Sequence, residues 1–340
     1  MTAHDARRFS RRRFLAGVAG TSGFLGLRPR PLGAEPPPET TTIRFVHDPD
    51  IPVLCYAPLY VAEELLRGEG FTDVRYVPLT DGSEAKTLAA NQADVSGVLA
   101  ATLILAIEAQ QPLLTLAGLH VGCLEVVGVG GARAVRDLKG RTVAVSALGG
   151  DDHVFLGAML AYVGIDPRRD VTWVTPTPAD ATQLLAERKI DAVVAFPPFA
   201  QELRARGIGR VIVNSTTDRP WSQYFCCMIA ANRDFVRRAP VATKRMLRAV
   251  LKANQLCAQE PARMARQLVE RRYTARYEYA LETLKSIPYA AWREYDPNST
   301  LNFYALRLRD AGWIKSGPQK ILAQGADWRF INELKRELKG

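Results

Sequence analysis

Cysteine, histidine and long apolar runs are all scarce in this 340-residue sequence, which holds five cysteines and four histidines. So few cysteines in so long a chain exclude a small disulfide-stapled scaffold. The absence of any window of about 18 consecutive apolar residues excludes a polytopic membrane protein. The residues that are present, 47% hydrophobic and 24% charged with a mean hydropathy of −0.09, exclude disordered and collagen-like chains. The sequence therefore predicts a globular protein with room for two α/β lobes.

Positive charge is concentrated at the N-terminus. The formal net charge is +10, but residues 1–34 hold seven arginines and one aspartate, which leaves +4 on the rest of the chain. A charge of this size is ordinary for a solvated surface, and the basic residues alternate with acidic ones. Because no dense basic stripe is present, we expect no nucleic-acid partner.

The basic N-terminus is similar to a twin-arginine export signal. Ser10-Arg11-Arg12-Arg13-Phe14-Leu15 precedes a short, Gly-rich apolar stretch, and Leu32-Gly33-Ala34 offers a small-residue cleavage site. We therefore expect residues 1–34 to be a signal peptide cleaved near Ala34, and residues 35–41 to be a linker. The twin-arginine machinery would then place the folded protein in the periplasm. The alternative is an amphipathic basic tail.

Strand and helix patterns alternate along most of the chain, which predicts an α/β fold with mostly parallel sheets and helices on both faces. A polar helical tail follows from 233 to 338, and its tryptophans Trp292, Trp313 and Trp328 are expected to pack against the first lobe. The predicted strands are 41–46, 73–78, 93–97, 113–119, 124–128, 142–145, 171–174, 192–195 and 210–214. The predicted helices are 57–66, 85–91, 101–109, 152–163, 179–187 and 199–206.

Five short segments, taken in their order and spacing, resemble one known family. They are APLYVAEE (57–64), GSEA (82–85), ADV (93–95), DLKGRTVAV (137–145) and LAERKIDA (185–192). Together they are similar to the substrate-binding proteins of ABC importers of the nitrate/sulfonate/taurine type. That superfamily also contains thiamine-pyrimidine precursor binders and the fungal pyrimidine synthases. The resemblance covers residues 43–254, most of the chain that follows the export signal.

The resemblance implies a two-lobed periplasmic-binding-protein fold of type II, with the ligand in the interlobe cleft. The first lobe would comprise 42–127 and 224–340, including the tail, and the second would comprise 128–223. The crossings would lie near 127–131 and 214–224. The implied function is the solute-binding component of an ABC importer, a monomer that delivers a small molecule to an inner-membrane permease. A binding protein that instead signals through a receptor is the alternative within the same fold.

Candidate ligand-binding residues follow from the rule that ligands lie beyond the carboxyl ends of the strands in open α/β sheets. In the family, the loops that match 82–85 and 149–153 cradle the ligand with backbone N–H groups, and helix N-termini suit that role. The candidates are His47, Asp48, Tyr56, Gly82, Ser83, Glu84, His120, Gly150, Asp151, Asp152, His153, Phe196, Trp221 and Tyr224.

The acidic side chains among these loops argue against an anionic ligand. Clustered carboxylates repel nitrate and sulfonate, and they suit amines, hydroxyls and ring N–H groups. Aromatic side chains in the same loops offer stacking faces for a flat or cationic molecule. We therefore expect a nitrogenous or aromatic solute, although Asp152 as a helix N-cap and Asp151 facing solvent remain open. The carboxylates concerned are Asp48, Asp50, Glu84, Glu125, Asp151 and Asp152.

Histidines and cysteines also fall in these loops, but without a metal-binding spacing such as CxxC or HxxxH. Thiolate and imidazole are ligands of zinc, copper and iron, so a metal or metal chelate stays an alternative, and no cofactor is assigned. Buried free thiols are expected, with a Cys55–Cys123 disulfide as the other possibility. Residues 225–228 resemble the cysteine-rich run of the fungal pyrimidine synthases. Val98 and Thr102 replace the Lys and His of those enzymes, so we expect a binding protein and not an enzyme.

Overall fold

Two five-stranded sheets organise the chain. A computed structural model describes residues 35–47, 53–80 and 82–338. The residues beyond Pro36 belong to one compact unit. The predicted signal peptide, the segment 48–52 and the last two residues lie outside the described residues. The strands are β1 Thr42–Val46, β2 Asp73–Val77, β3 Val95–Leu99, β4 Leu113–Val121, β5 Glu125–Gly128, β6 Thr142–Ala144, β7 Thr172–Val174, β8 Ala192–Ala195, β9 Arg210–Asn214 and β10 Phe225–Asn232.

The first sheet has the order β2-β1-β3-β10-β4 and the second has the order β7-β6-β8-β5-β9. In the first, β10 pairs antiparallel with both β3 and β4, and in the second, β5 pairs antiparallel with both β8 and β9. Each sheet is therefore mostly parallel with one reversed strand, as the strand–helix alternation predicts. The reversed strand of each sheet adjoins a chain crossing, because β5 follows the first crossing and β10 follows the second.

Helices flank both sheets and form the tail. Four short 3₁₀ turns lie at Leu54–Tyr56, Val135–Leu138, Trp221–Gln223 and Tyr289–Arg293. The predicted helix 57–66 is divided at Ala62 into two short helices, α1 and α2. The helices are α1 Ala57–Val61, α2 Glu63–Gly68, α3 Glu84–Ala89, α4 Ala100–Glu108, α5 Asp151–Tyr162, α6 Pro178–Ala186, α7 Phe199–Ala205, α8 Arg233–Arg238, α9 Pro240–Gln259, α10 Pro261–Glu270, α11 Tyr277–Ser286, α12 Pro297–Asp310, α13 Pro318–Gly325 and α14 Arg329–Glu337.

The helical tail contacts both lobes. Trp292 is buried where its turn packs on β4 and α9 of the first lobe, as expected. Trp313 differs from the expectation, because its ring lies against Gly157 of α5, which belongs to the second lobe. A Cβ on Gly157 would come within 2.2 Å of that ring, so only glycine permits this close packing. The tail therefore bridges the two lobes.

The two crossings between the lobes pack directly on each other, and the first lies at 122–124, before β5, instead of near 127–131 as expected, because β5 belongs to the second sheet. Gly122 follows β4 with a φ of +63°, and a Cβ there would lie 2.3 Å from the Cα of Thr216 in the second crossing. The Ser215 hydroxyl accepts hydrogen bonds from the N–H groups of Cys123 and Leu124 and donates to the Leu124 carbonyl. These contacts hold the hinge strands side by side. Within the described residues, no helix has the length and apolar character needed to span a bilayer.

Candidate functional site

Three cysteines and a histidine converge where the strands of the first sheet meet the crossings. One ligand atom from each of Cys55, His120, Cys123 and Cys227 lies within 4.8 Å of the other three. All four side chains are buried. Cys55 lies just before α1, Cys123 lies in the first crossing, and Cys227 pairs with His120 across β10 and β4. We call these four residues the thiol–imidazole cluster.

The pairing of β10 with β4 is irregular on both sides of Cys227. A β-bulge of this kind redirects side chains that would otherwise alternate between the faces of the strand. As a result Cys226 also approaches the cluster, and its Sγ lies 3.4 Å from the Sγ of Cys123. All five cysteines of the chain are buried free thiols, as the sequence predicts.

His120 is oriented by a backbone hydrogen bond. Its Nδ1 lies 2.7 Å from the carbonyl oxygen of Gly122, which can only accept, so Nδ1 carries the proton. The tautomer leaves a lone pair on Nε2. That nitrogen is buried and has no hydrogen-bond partner among the described residues. The imidazole is thus fixed with an unused acceptor nitrogen.

The thiols of the cluster do not ionise equally. Burial raises the pKa of Cys55, Cys123 and Cys226 well above the usual thiol range. Burial also opposes ionisation of Cys227, but hydrogen bonds from the other three thiols outweigh it and lower the pKa of Cys227. Cys227 is therefore the most acidic of these thiols.

Tyr56 and Glu84 border this cluster on the side of the cleft. The Tyr56 ring lies over Gly97 of β3, where a Cβ would come within 2.7 Å of it, and its centroid is 6.5 Å from that of His120. Burial, together with the negative charges of Cys227, Glu84 and Asp151, raises the pKa of the Tyr56 phenol well above its usual value. Tyr56, Glu84 and Asp151 therefore lie close enough to the cluster to interact electrostatically, although they come from separate loops.

Asp151 reaches this region from the second lobe. It is the first residue of α5, and its Oδ1 accepts a hydrogen bond of 2.5 Å from the hydroxyl of Thr102 on α4. Burial raises the pKa of Asp151 to about 7, helped by the negative charges of Cys227 and Asp152 and opposed by the Thr102 hydrogen bond. A carboxyl group that titrates near neutrality therefore lies between the lobes.

Asp152 and His153 point into local contacts of the second lobe. The Asp152 carboxylate accepts hydrogen bonds from the N–H and hydroxyl of Ser146 and from the N–H of His153. The His153 Nδ1 accepts from the N–H of Gly149, and its ring packs edge-on against Trp173 at 4.5 Å. Burial lowers the pKa of His153. Asp152 is therefore not the N-cap of α5, which is Gly150, but its carboxylate is satisfied by contacts within the second lobe.

Further contacts join the lobes around the cleft. The Leu54 N–H donates to the carbonyl of Pro197 at 3.3 Å, and the amide of Gln201 on α7 donates to Thr283 of the tail at 3.0 Å. Arg204, also on α7, pairs with Glu282 of the tail and, within the second lobe, with Glu125 of β5. The described conformation is therefore one in which the lobes are in contact.

The other predicted site residues differ in their neighbours and in their exposure. His47 packs against Tyr60 and Tyr273, and Ser83 caps α3 by accepting from the Lys86 N–H. Tyr224 stacks on Phe303 of the tail at 4.0 Å. Gly82 is exposed and has a φ of +64°, Gly150 is the N-cap of α5, and Phe196 is half-buried after β8. Trp221 is buried among Phe155, Tyr162 and Phe303. Asp48 lies outside the described residues.

The structure brings together Tyr56, Glu84, His120 and Asp151 from the predicted site. It adds Thr102 and the three cysteines of the cluster, which the sequence-based site omits. The only sequence signal for the cysteines was their position in loops at the expected edge of the sheet. A surface pocket of about 260 Å³ is lined by other residues, including Arg44, Asp94 and Arg238, and does not overlap this region.

Comparisons with known proteins agree on the fold. A solved structure of the periplasmic nitrate-binding protein NrtA from Synechocystis has a TM-score of 0.71 and 18% identity, and covers 89% of this chain and 90% of that one. The alkanesulfonate-binding protein SsuA from Xanthomonas axonopodis, bound to MOPS, has a TM-score of 0.67 and 17% identity, with coverages of 85% and 99%. A ligand-binding component of an ABC-type import system from Staphylococcus aureus, with zinc bound, has a TM-score of 0.69 and 11% identity, with coverages of 87% and 99%.

Sequence comparison identifies the family. The nitrate/nitrite binding protein NrtA of Synechocystis is 28% identical over 120 residues, which are 34% of this chain. The matched part spans only 26% of that curated relative. A model of the NMT1-like family matches residues 38–271, more than half of the chain. The two-lobed α/β fold and this match together show that the chain belongs to the NMT1-like family.

Proposed function

We propose that this protein is the periplasmic solute-binding component of an ABC importer and that its solute is a small nitrogen-containing organic molecule. The observation that carries the choice of solute is Asp151, a carboxyl group placed between the lobes against Thr102. The relatives named for nitrate and sulfonate support the class of protein. The acidic surroundings of the cleft favour a different solute for this chain.

The electrostatics of the cleft support a solute that donates hydrogen bonds. Glu84 and Asp151 both place negative charge near the buried Tyr56. An amine or a ring N–H finds acceptors there, whereas a nitrate or sulfonate would meet charges of its own sign. Tyr56 also offers an aromatic face for a flat or cationic solute.

The proposed mechanism is interlobe closure. The two lobes turn about the crossings that pack at Gly122, and β5, which begins at Glu125, belongs to the sheet of the second lobe. A solute that touches both Asp151 and Tyr56 binds the closed form better than the open form and shifts the population towards it. The closed form is then the species presented to the permease. The same proposal includes twin-arginine export, cleavage near Ala34, a monomeric state and the absence of catalytic turnover.

A ligand screen tests this proposal. The full chain is mixed with panels of amines, nitrogen heterocycles, alkanesulfonates and nitrate, and thermal stabilisation is followed, because a ligand of the folded state raises the unfolding midpoint. Hits are confirmed by calorimetry. We expect the strongest hits among the nitrogen-containing organic molecules. A screen in which only nitrate or sulfonates bind would contradict the choice of solute.

Variants locate the binding. Asp151→Asn should weaken the best hit by at least about 10-fold, since a lost charge-assisted hydrogen bond costs about 1.5–3 kcal/mol. Asp310→Asn is the matched control, because Asp310 is exposed at the end of α12 and pairs with Arg307 of the same helix. Equal affinity in the two variants would remove Asp151 from the site.

A further inference from the structure

The thiol–imidazole cluster has the composition and the geometry of a metal site. We propose that Cys55, His120, Cys123 and Cys227 bind a single soft metal ion, with Zn²⁺ as the preferred occupant. This site goes beyond solute capture, because its ligands are protein side chains that are buried beneath the cleft.

The distances suit one tetrahedral ion. A zinc ion with Zn–S bonds of about 2.3 Å holds its sulfur ligands about 3.8 Å apart. The four ligand atoms here already lie within 4.8 Å of one another. Side-chain rotations that move each atom by less than about 1 Å would complete the tetrahedron. The cluster therefore needs only a small contraction to reach these distances.

The donor set selects the class of metal. Three thiolates and one imidazole form the Cys₃His set of structural zinc sites, and soft thiolate ligands also select Cu⁺. Hard ions such as Mg²⁺ and Ca²⁺ require oxygen ligands, which the cluster does not supply. Binding displaces the thiol protons to solvent, so each ligating sulfur enters as thiolate.

His120 provides the independent observation that points to a ligand. Its Nδ1–H donates to the Gly122 carbonyl, so Nε2 bears the lone pair. That nitrogen is fully buried and without a partner among the described residues, an arrangement that costs free energy in a metal-free core. Metal-ligating histidines use the same device, a hydrogen bond from the second nitrogen that sets the tautomer and the ring orientation.

The fold assembles the ligands from four separate places. Cys55 precedes α1, His120 is the next-to-last residue of β4, Cys123 lies in the first crossing, and the bulge in β10 presents Cys227. A metal ion bound there would tie the first crossing to the sheet of the first lobe. Because the protein supplies all four ligands, no coordination position stays open for a transported solute. We therefore assign the ion a structural role.

The test uses the full chain, stripped of metal with a chelator under reducing conditions. Zn²⁺ alone is returned, and its binding is measured by competition with a chromophoric chelator and by native mass spectrometry. We expect one tightly held ion per chain. Zinc X-ray absorption should show three sulfurs at about 2.3 Å and one nitrogen at about 2.0 Å. A wild-type chain that is folded and reduced but takes up no stoichiometric zinc would overturn the proposal.

Serine variants identify the ligands. Cys55→Ser and Cys227→Ser should each lower zinc affinity by at least about 100-fold, since even the loss of an outer hydrogen-bonding partner costs 10–100-fold. Cys257→Ser is the matched control, because Cys257 is an equally buried thiol on α9 that is not in the cluster. Cys226→Ser tests the neighbouring sulfur, and we expect it to retain zinc. Circular dichroism of each metal-free variant separates lost ligation from lost folding.

Other results of these experiments would overturn the zinc assignment or replace zinc with copper. Equal loss of zinc in Cys257→Ser and Cys227→Ser would overturn the assignment. A Cys123–Cys226 disulfide that persists in the isolated protein, with no zinc uptake after reduction, would also overturn it. A parallel titration with Cu⁺ separates the two soft ions. If His120→Ala leaves Cu⁺ affinity unchanged while zinc does not bind, a copper–thiolate site replaces the zinc site proposed here.

Discussion

The two sheets share one strand order but differ in size and in what covers them. In each, three parallel strands adjoin a single reversed strand, and a fifth strand lies beyond it. The first sheet contains the nine-residue β4 and the eight-residue β10, whereas the strands of the second are three to five residues long. The tail helices cover the first sheet, whereas the second sheet joins the same large core on one face and packs on a small apolar cluster of its own on the other.

The two lobes contribute different groups to the region between them. The long central strands of the first lobe bring buried thiols, an imidazole and Tyr56 to one edge. The second lobe contributes the N-terminal end of α5 with its carboxyl groups. Topology alone therefore does not assign a role to either lobe, because the same strand order supports a buried ligand cluster in one and a helix terminus in the other.

Core truncations should show the largest contrast between the lobes. Trp292→Ala removes a fully buried side chain from the core shared by the first lobe and the tail, and should lower the free energy of unfolding by about 3–5 kcal/mol. Leu185→Ala, in the small cluster of the second lobe, should cost about 2–3 kcal/mol. Hydrogen exchange measures both. Loss of protection confined to the second lobe is expected only for Leu185→Ala, and uniform loss in both would contradict the comparison.

The carboxyl group of Asp151 should make the stability of the metal-free, reduced protein depend on pH. Its pKa rises from 3.8 to about 7 on folding, so the folded chain holds the extra proton between these values. Ionisation of Asp151 therefore destabilises the folded state to its full extent above pH 7 and has no effect below about pH 4. Asp151→Asn should raise the free energy of unfolding by up to about 4 kcal/mol at pH 8 and change it little at pH 4. Urea unfolding at the two pH values tests this, and a pH-independent gain would refute it.

The packed crossing should tolerate no side chain. Gly122→Ala combines a left-handed φ of +63° with overlap on the Thr216 backbone, and should cost about 3 kcal/mol. Gly140→Ala in the second lobe has a similar φ of +74° but nothing within 4 Å of the added Cβ, so its cost should be about 1 kcal/mol. Thermal or urea unfolding distinguishes them. Equal costs would show that the crossings do not pack as tightly as described.

Loss of an interlobe ion pair should have the smallest effect. Arg204→Ala removes the interlobe pair of α7 with Glu282 and, within the second lobe, its pair with Glu125, and should cost about 1 kcal/mol or less because Arg204 is partly exposed. Its main result should be a shift towards the open form, seen as a larger radius of gyration in small-angle scattering. Arg206→Ala is the control, since Arg206 pairs with Glu202 on its own helix. A similar change in both variants would argue against a closing role for Arg204.

Local patterns predicted the strands and helices well, because burial on one face imposes a period on the sequence. Most boundaries of β1, β2 and β4 through β9 agree within two residues. The split of 57–66 into two helices was not predicted, since Ala62 carries no breaking signal. The contact of Trp313 with α5 was also missed, because a pattern shows that a tryptophan is buried but not which surface receives it.

The candidate site was also predicted only in part from the sequence. The rule that ligands lie at the carboxyl ends of strands selected Tyr56, Glu84, His120 and Asp151, and the structure places these four residues in one region. It did not rank Asp151 above Asp152, since both open the same helix. Only the structure shows that Asp152 is satisfied by Ser146 while Asp151 faces the first lobe.

The sequence by itself determined the class of fold, because alternating apolar patterns and short loop motifs are local properties of the chain. The thiol–imidazole cluster was decided by tertiary structure. Cys55, Cys123 and Cys227 are separated by tens of residues and follow no ligand spacing, so nothing local relates them. Their meeting depends on strand register, on a bulge beside Cys227 and on a glycine turn at 122. These are long-range packing events, and their geometry exists only once both crossings are in place.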